Sequence, residues 1–394
     1  MFVKKKITII LFAICSICYS CGSKEVNTSL NDFKDIIKIT VDPINPGSGR
    51  LKKVQFEKYF KSWALIPLET NKEFLIGSIN RIIHHKDKYF ILDRRSESVF
   101  AFYESGKAAF KINNRGQGPG EWLGLMDFTI DDDKEEIILH TDRPSKLIYF
   151  DKDGKFIKEI ETENYYSNLM SHDNRLYFRN TSRDLKNLLF IKTNKGESMT
   201  GFLPLKTNDI LFENTGVPYP SLLKSKSLFF SLPYSNIIYE CKNGTVLPKY
   251  GVDFGAKNVS SDFFTKDREA KDLLLESYKK GYGFAISNFK EGKDYITFSY
   301  AGNIMVIYDK KTKTSETFNF IENKKGKIHF ENYFANDGDD NCMMAAYRTT
   351  AFLEQMRRYK TNPVAWLQVP ENIKSIYAST VKSSNPLLIV YNLK

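Results

Sequence analysis

Apolar and polar positions along this chain alternate in a unit that recurs. Tyr89-Phe-Ile-Leu-Asp93, Val99-Phe-Ala-Phe-Tyr103 and Gly106-Lys107 form one copy. Ile137-Ile-Leu-His-Thr-Asp142, Leu147-Ile-Tyr-Phe-Asp151 and Gly154-Lys155 form the next. Each copy reads as a buried strand ending near Asp, a polar turn, an aromatic strand, a tight Gly turn and a further strand. Unbroken apolar runs of this length, bounded by turn residues, fit strands covered on both faces. The turn glycines 106, 154, 196 and 244 lie 48, 42 and 48 residues apart. Self-similarity at this period is the signature of blades in a β-propeller.

Extending the unit predicts six blades. They run over about 79–113, 125–161, 166–203, 220–250, 284–321 and 328–391. The fold class is therefore all-β, a six-bladed β-propeller with a short helical insertion at about 260–280. In that insertion Phe263, Leu273, Leu274 and Tyr278 recur at helical spacing, and Gly281 and Gly283 end it. The sixth blade is the least regular. It is expected to hold strands at Ile328–Phe334, Met343–Tyr347, Ile373–Ser379 and Leu387–Tyr391, with a helix around Thr350–Tyr359. A ring of blades must close or leave unpaired edges. Strands are also expected at Val54–Phe60 and Trp63–Glu69 ahead of the first blade, and the spare strand at Trp63–Glu69 is the natural donor to the last blade.

The N-terminus follows other rules. Lys4-Lys5-Lys6 precedes an apolar run from Ile7 to Ile14, too short for an ordinary spanning helix, and small residues and cysteines follow. This is a signal-peptide pattern. Ser20-Cys21-Gly22-Ser23 resembles a bacterial lipobox, with Cys18 and Tyr19 where an aliphatic and a small residue are usual. The expected organisation is a signal peptide at 1–20, a lipid-anchored tether and leading strand at 21–50 with Cys21 as the lipidated residue, and the propeller at 51–394. Cleavage there removes three lysines, so the formal charge falls from +11 to +8. The chain has no dense basic stripe with interleaved aromatics, so nucleic acid is not an expected partner. Cys241 and Cys342 remain after Cys21, in strands of different blades, and are expected as buried thiols.

The most specific string is Asn113-Asn-Arg-Gly-Gln-Gly-Pro-Gly-Glu-Trp122. With Leu65-Ile-Pro-Leu-Glu-Thr70, Ile76-Gly-Ser-Ile79 and the Leu92-Asp93 strand end, it resembles the six-bladed β-propeller lipoproteins of Bacteroidetes-type bacteria, which are NHL-like. The resemblance is sharp over residues 63–160 and continues as pattern beyond them. It implies an exported protein, often attached to the outer membrane and associated with nutrient uptake, with no generally established activity.

The glycine string lacks the Lys and the following helix of a phosphate cradle. Its structural reading is a shaped crossover between blades, with Glu121 and Trp122 pinning it. Its functional reading comes from position. The string emerges on the same propeller face as the loops holding Arg94, Arg95, Arg143 and Arg183. Together with Arg115, Gln117, Glu121 and Trp122 these are the candidate ligand-binding residues, and guanidinium forks suit a carboxylate-bearing glycan or peptide.

Catalytic chemistry is sparse. The five histidines are 84, 85, 140, 172 and 329, without a metal-ligand spacing such as H-x-x-x-H. No Gly-x-Ser-x-Gly elbow is present. Asn336-Asp-Gly-Asp-Asp-Asn341 gathers oxygen ligands but lacks the closing Glu of a calcium loop. No catalytic residue, metal or cofactor is assigned. Predicted inner-strand residues Ile79, Ile82, Phe128, Ile130, Tyr166, Leu169 and Phe284 are mostly packing. The sequence therefore points to a membrane-anchored binding or interaction module, partnered by an outer-membrane transporter or a glycan or peptide ligand. The alternative, against which the inner strands weigh without deciding, is a propeller hydrolase or lyase acting on glycans or lactones at the central channel.

Overall fold

The computed structural model describes residues 35–45, 48–49, 51–182, 184–193, 199–205, 222–264, 269–302, 304–328, 334–335 and 341–394. The leader, Cys21, Arg183, the Lys195-Gly196 turn, His329 and residues 336–340 lie outside them. The described chain opens with β1 (Ile37–Thr40), β2 (Lys53–Gln55), one helical turn α1 (Phe56–Tyr59) and β3 (Phe60–Pro67).

Six blades follow. Blade 1 is β4 (Arg81–His85), β5 (Lys88–Asp93), β6 (Ser98–Tyr103) and β7 (Ala108–Ile112). Blade 2 is β8 (Leu125–Asp131), β9 (Glu136–Asp142), β10 (Ser145–Phe150) and β11 (Phe156–Glu161). Blade 3 is β12 (Asn168–His172), β13 (Arg175–Arg179), β14 (Asn187–Thr193) and β15 (Met199–Pro204). Blade 4 is β16 (Leu222–Lys224), β17 (Leu228–Ser231), β18 (Ile237–Lys242) and β19 (Thr245–Asp253). After helix α2 (Ala270–Lys280), blade 5 is β20 (Ser287–Glu291), β21 (Tyr295–Tyr300), β22 (Ile304–Asp309) and β23 (Thr314–Phe318), with a short β24 (Phe320–Glu322) beyond it. Blade 6 holds β25 (Phe334–Ala335) and β26 (Cys342–Tyr347), three helices α3 (Thr349–Lys360), α4 (Pro363–Leu367) and α5 (Glu371–Ser379), and β27 (Leu387–Leu393).

The ring closes as the spare strand requires. Blade 6 has the order β25-β26-β27-β3, so its outermost strand comes from the start of the propeller. The β3–β27 ladder is antiparallel from Leu387↔Pro67 to Leu393↔Phe60. The N-terminal lead also runs along the outside. β1 adds to blade 4 in parallel on β19, and β2 pairs in parallel with β24. Between them the Ile44 N–H donates to the Tyr300 hydroxyl (2.8 Å), and Lys52 and Asn319 exchange hydrogen bonds of 2.9 and 3.1 Å.

The apolar runs are explained by where alternate side chains go. Successive strand residues face opposite sides of a blade, and here both sides are covered. Phe90 and Leu92 pack with Trp122, Phe128 and Leu139 of blade 2, while Tyr89 and Ile91 pack with Ile66, Met344 and Leu388 of blade 6. Each junction around the ring has such a cluster. Cys241 and Cys342 are buried, unbridged members of two of them.

The repeated Asp has a turn function. Asp93 accepts from the Gly77 and Arg95 N–H groups and from the Ser78 and Ser96 hydroxyls, which fixes both the turn and the incoming crossover. Burial opposes its charge, and these hydrogen bonds outweigh that effect and hold its carboxyl below the usual range. Asp151 likewise accepts from the Asp153 and Lys155 N–H groups, across a turn whose Gly154 has φ of 80°.

Two expectations are corrected, and the helical insertion is borne out with finer bounds. Ile373–Ser379 is not a strand but most of α5. Pro370 precedes the helix, Glu371 sits in its first turn, and Ile373, Ile376 and Tyr377 share one face against the core. The insertion before blade 5 is a 3-10 turn at Ser261–Phe264 followed by α2, which ends at Gly281 with φ of 67°. The strand expected at Val54–Phe60 is interrupted by α1, which turns Phe56 and Phe60 into one stacked pair under Tyr391.

Because Leu65 is buried in the junction between blades 5 and 6, Leu65→Ala should lower unfolding stability by about 2–4 kcal/mol. Deleting residues 50–70 should lower the midpoint of thermal unfolding, followed by circular dichroism, far more than this point change does. An unchanged midpoint in the deletion would contradict closure by β3.

Candidate functional site

The inner strands β4, β8, β12, β16, β20 and β25 stand around the propeller axis. Their starts and ends define two faces. Chain entry to the inner strands and the turns between second and third strands lie on one face. The turns that follow the inner strands lie on the other.

On the inner ring, one buried polar network ties three blades together. Arg81 Nη1 donates to both Asp127 carboxylate oxygens (2.9 Å each), to the Phe128 carbonyl (2.8 Å) and to the Leu169 carbonyl (3.1 Å). Asp127 in turn accepts from the Leu169 N–H (2.9 Å). Thr129 Oγ1 accepts from the Ser171 N–H (2.9 Å). A largely buried guanidinium, 14% exposed, with this many acceptors is a rigid, satisfied element.

Beyond this network the inner strands end in a cavity of about 480 Å³. Blade 1 contributes Ile83, His84, His85 and Lys86, and blade 2 Thr129, Ile130 and Asp132. Met170 and His172 come from blade 3, and Lys224, Ser225 and Lys226 from blade 4. Strand alternation explains the selection: His85, His172 and Lys224 are the last residues of their inner strands, and Asp132 directly follows β8.

Asp132 is the hub. Lys224 Nζ donates to its Oδ2 at 2.6 Å, and His85 Nδ1 lies 3.3 Å from its Oδ1. Blades 1, 2 and 4 thus meet at one carboxylate. Burial opposes its ionisation, but the His85 hydrogen bond and the Lys224 ammonium prevail and hold its carboxyl at about 2. His172 is pushed below the usual histidine range, first by burial. The buried Nε2 of His85 has no hydrogen-bond partner. At the rim Lys86 pairs with Glu135, His84 with Glu104 (2.9 Å) and His172 with Asp173 (3.6 Å). Among the described residues, no group of three or more His, Cys, Asp or Glu is placed to hold a metal ion.

The residues singled out from sequence lie on the opposite face. Arg94 and Arg95 occupy the β5–β6 turn, Arg115 to Trp122 the crossover into blade 2, and Arg143 the β9–β10 turn. Several are engaged internally. Glu121 accepts from the Gly118 N–H (2.8 Å), and a Cβ on Gly116 would fall 2.0 Å from its carboxylate. Trp122 is fully buried and donates to the Glu97 carbonyl (3.3 Å). Arg143 donates to the Leu123 carbonyl (3.1 Å). Arg115 is exposed, 3.8 Å from Glu97, and Gln117 is exposed. Arg94 keeps a buried Nε without a partner.

His85, Asp132 and Lys224 were not singled out. The available signal was their common register at the end of each inner strand, two residues beyond Ile83, Ile130 and Leu222. The more conspicuous apolar positions of the inner strands, among them Ile82, Phe128 and Leu169, lie in the junctions between blades.

Comparison with known proteins follows this architecture. The model of one family, described as a domain of unknown function (DUF4934), matches residues 39–392. The chain belongs to that family. A protein of Bacteroides fragilis described as exported shares 16% identity over 91% of this chain and 99% of its own, with a TM-score of 0.71. That likeness shows the propeller fold. A member of the DUF4221 family from Bacteroides vulgatus gives 10% identity over 85% and 97%, with a TM-score of 0.47. Virginiamycin B lyase from Staphylococcus aureus gives 16% over 65% and 73%, with a TM-score of 0.39. These last two are too remote to carry an argument. No curated protein matches the chain.

Asp132→Asn should lower stability at pH 7 by about 1 kcal/mol, given the exposure of this carboxylate. The folded-state pKa is depressed, so the stabilisation is full above the unfolded value near 4. It is lost as pH falls through about 2. Urea unfolding of wild type and variant should therefore converge between those two values.

Proposed function

We propose that this protein is an exported, lipid-anchored propeller of the cell envelope that binds a small ligand at the mouth of its channel. The observation that carries this reading is the cavity of about 480 Å³, in the size range of small-molecule sites, to which four blades each bring residues at the end of an inner strand. A rigid ring of blades holds these groups in place, as binding requires. The NHL-like pattern of the early blades agrees with such a scaffold.

Export is supported by the Lys4-Lys5-Lys6 and Ile7–Ile14 leader pattern and by the exported description of the Bacteroides fragilis relative. Cys21 is the proposed lipid site, which places the protein on a membrane, the outer membrane being the expected one. A partner in this reading is an outer-membrane uptake system, for which the propeller presents or captures the ligand. The arginine-bearing face around Arg94, Arg95 and Arg115 is the second surface available to a glycan or peptide carboxylate.

A second reading is an acid–base enzyme. It is favoured by the His85–Asp132 pair, in which the carboxylate orients one ring nitrogen and leaves the other without a partner. Under that reading His85→Ala would abolish turnover of a bound compound. Under the binding reading the compound is recovered unchanged.

Two outcomes are expected. In the native host, Cys21→Ala should abolish incorporation of a labelled fatty acid and move the protein out of the membrane fraction. In a thermal-shift screen of small sugars, sugar acids and short peptides on the full-length chain, at least one compound should raise the midpoint, and His172→Trp, which fills the cavity, should remove that shift. A screen without shifts, or shifts that survive His172→Trp, would overturn the cavity as the ligand site.

A further inference from the structure

We infer that the ligand of the channel-mouth cavity is a small hydroxylated acid, of the size of a sugar acid with one or two rings. This rests on the reading of the cavity as a ligand site and adds the chemistry of what it holds.

The position of one buried ammonium, rather than the net charge, decides the sign. Lys86, Lys224 and Lys226 line the cavity, and among the described residues that line it Asp132 is the sole carboxylate. Glu104, Glu135 and Asp173 stand at the rim against His84, Lys86 and His172. Lys224 is the decisive group. Its side chain is 10% exposed, and an ammonium has three N–H donors. Asp132 is the acceptor described for it, at 2.6 Å. A buried ammonium with donor capacity left over favours a second oxygen anion, and a charge-assisted hydrogen bond in such a place is stronger than a neutral one. Asp132 occupies one side of Lys224 and repels an incoming carboxylate, so it sets the affinity as a built-in competitor.

The remaining walls describe the rest of the molecule. His85 and His172 line the cavity, and their imidazole rings suit a ligand hydroxyl. Ile83, Ile130 and Met170 supply an apolar floor suited to the carbon face of a ring. Donors for a carboxylate, a nitrogen for a hydroxyl and an apolar floor within about 480 Å³ together describe a sugar acid better than a fatty acid or a neutral sugar.

The test is calorimetric titration of the full-length chain with D-glucuronate, digalacturonate, the neutral methyl ester of D-glucuronate, and D-glucose. At least one acid should bind about tenfold or more tightly than the ester and the neutral sugar. Lys224→Gln should remove that preference. Asp132→Asn should have the opposite effect and tighten acid binding, so a variant that merely misfolds is distinguishable from one that has lost the charge. Equal affinity for acid and ester, acid binding unchanged in Lys224→Gln, weaker acid binding in folded Asp132→Asn, or no acid binding at all would each overturn the inference. If a neutral sugar binds and His172→Trp abolishes that binding, the cavity stands as a ligand site and only the acid class falls.

Discussion

Every blade in this ring is held from both sides, and that depends on one antiparallel ladder between β27 and β3. A propeller blade is a small sheet with apolar side chains on both faces, and neither face can be covered within the blade itself. Leu65 of β3 reaches into the junction with blade 5, and the adjacent Ile66 into the junction with blade 1. One strand thereby completes two junctions, and it does so from the far end of the sequence. Without it, the outer edge of blade 6 would be an open ladder and both neighbouring clusters would lose a wall.

The same double coverage explains how far the fold could be read from sequence. A strand buried on both faces reads as an uninterrupted apolar run. Tyr89-Phe-Ile-Leu92 and Phe100-Ala-Phe102 show this directly. Glycines such as Gly106 and Gly154 then mark where each blade turns, because the turn needs a backbone with positive φ. Where the repeat departs from the rule, the reading lost its guide. In blade 6 the stretch from Ile373 to Ser379 is coated on one side only, with Ile373 in the core and Ser375 outside. A one-sided pattern at helical spacing competes with a strand, and here the helix prevailed because Pro370 and Glu371 supply a good first turn.

The candidate site was less legible for a related reason. Its groups are few per blade and far apart in sequence, Asp132 and Lys224 being 92 positions apart. Nothing local distinguishes Asp132 from the neighbouring Asp131 and Asp133, yet only one of the three meets both His85 and Lys224. The apolar members of the inner strands draw attention because they are frequent, but many of them face neighbouring blades. The position at which each inner strand stops was the informative one. By contrast, the Gly-Gln-Gly-Pro-Gly string is conspicuous in sequence, and much of its chemistry is directed inward. Glu121 closes over Gly116 and Gly118, and Trp122 is sealed beneath Glu97.

The N-terminal lead has a mechanical meaning. It does not leave the ring at its closing strand but runs back along the rim of blades 6, 5 and 4, fastened at β2, Lys52, Ile44 and β1. Tension arriving from that end meets β1 first, and β1 lies parallel along β19. A pull directed along that strand loads its hydrogen bonds together, in shear, rather than peeling them one at a time. The strap therefore acts as a strain relief, and a pull on the N-terminal lead is spread over blades 4 and 5 before it reaches the ladder that keeps the ring closed.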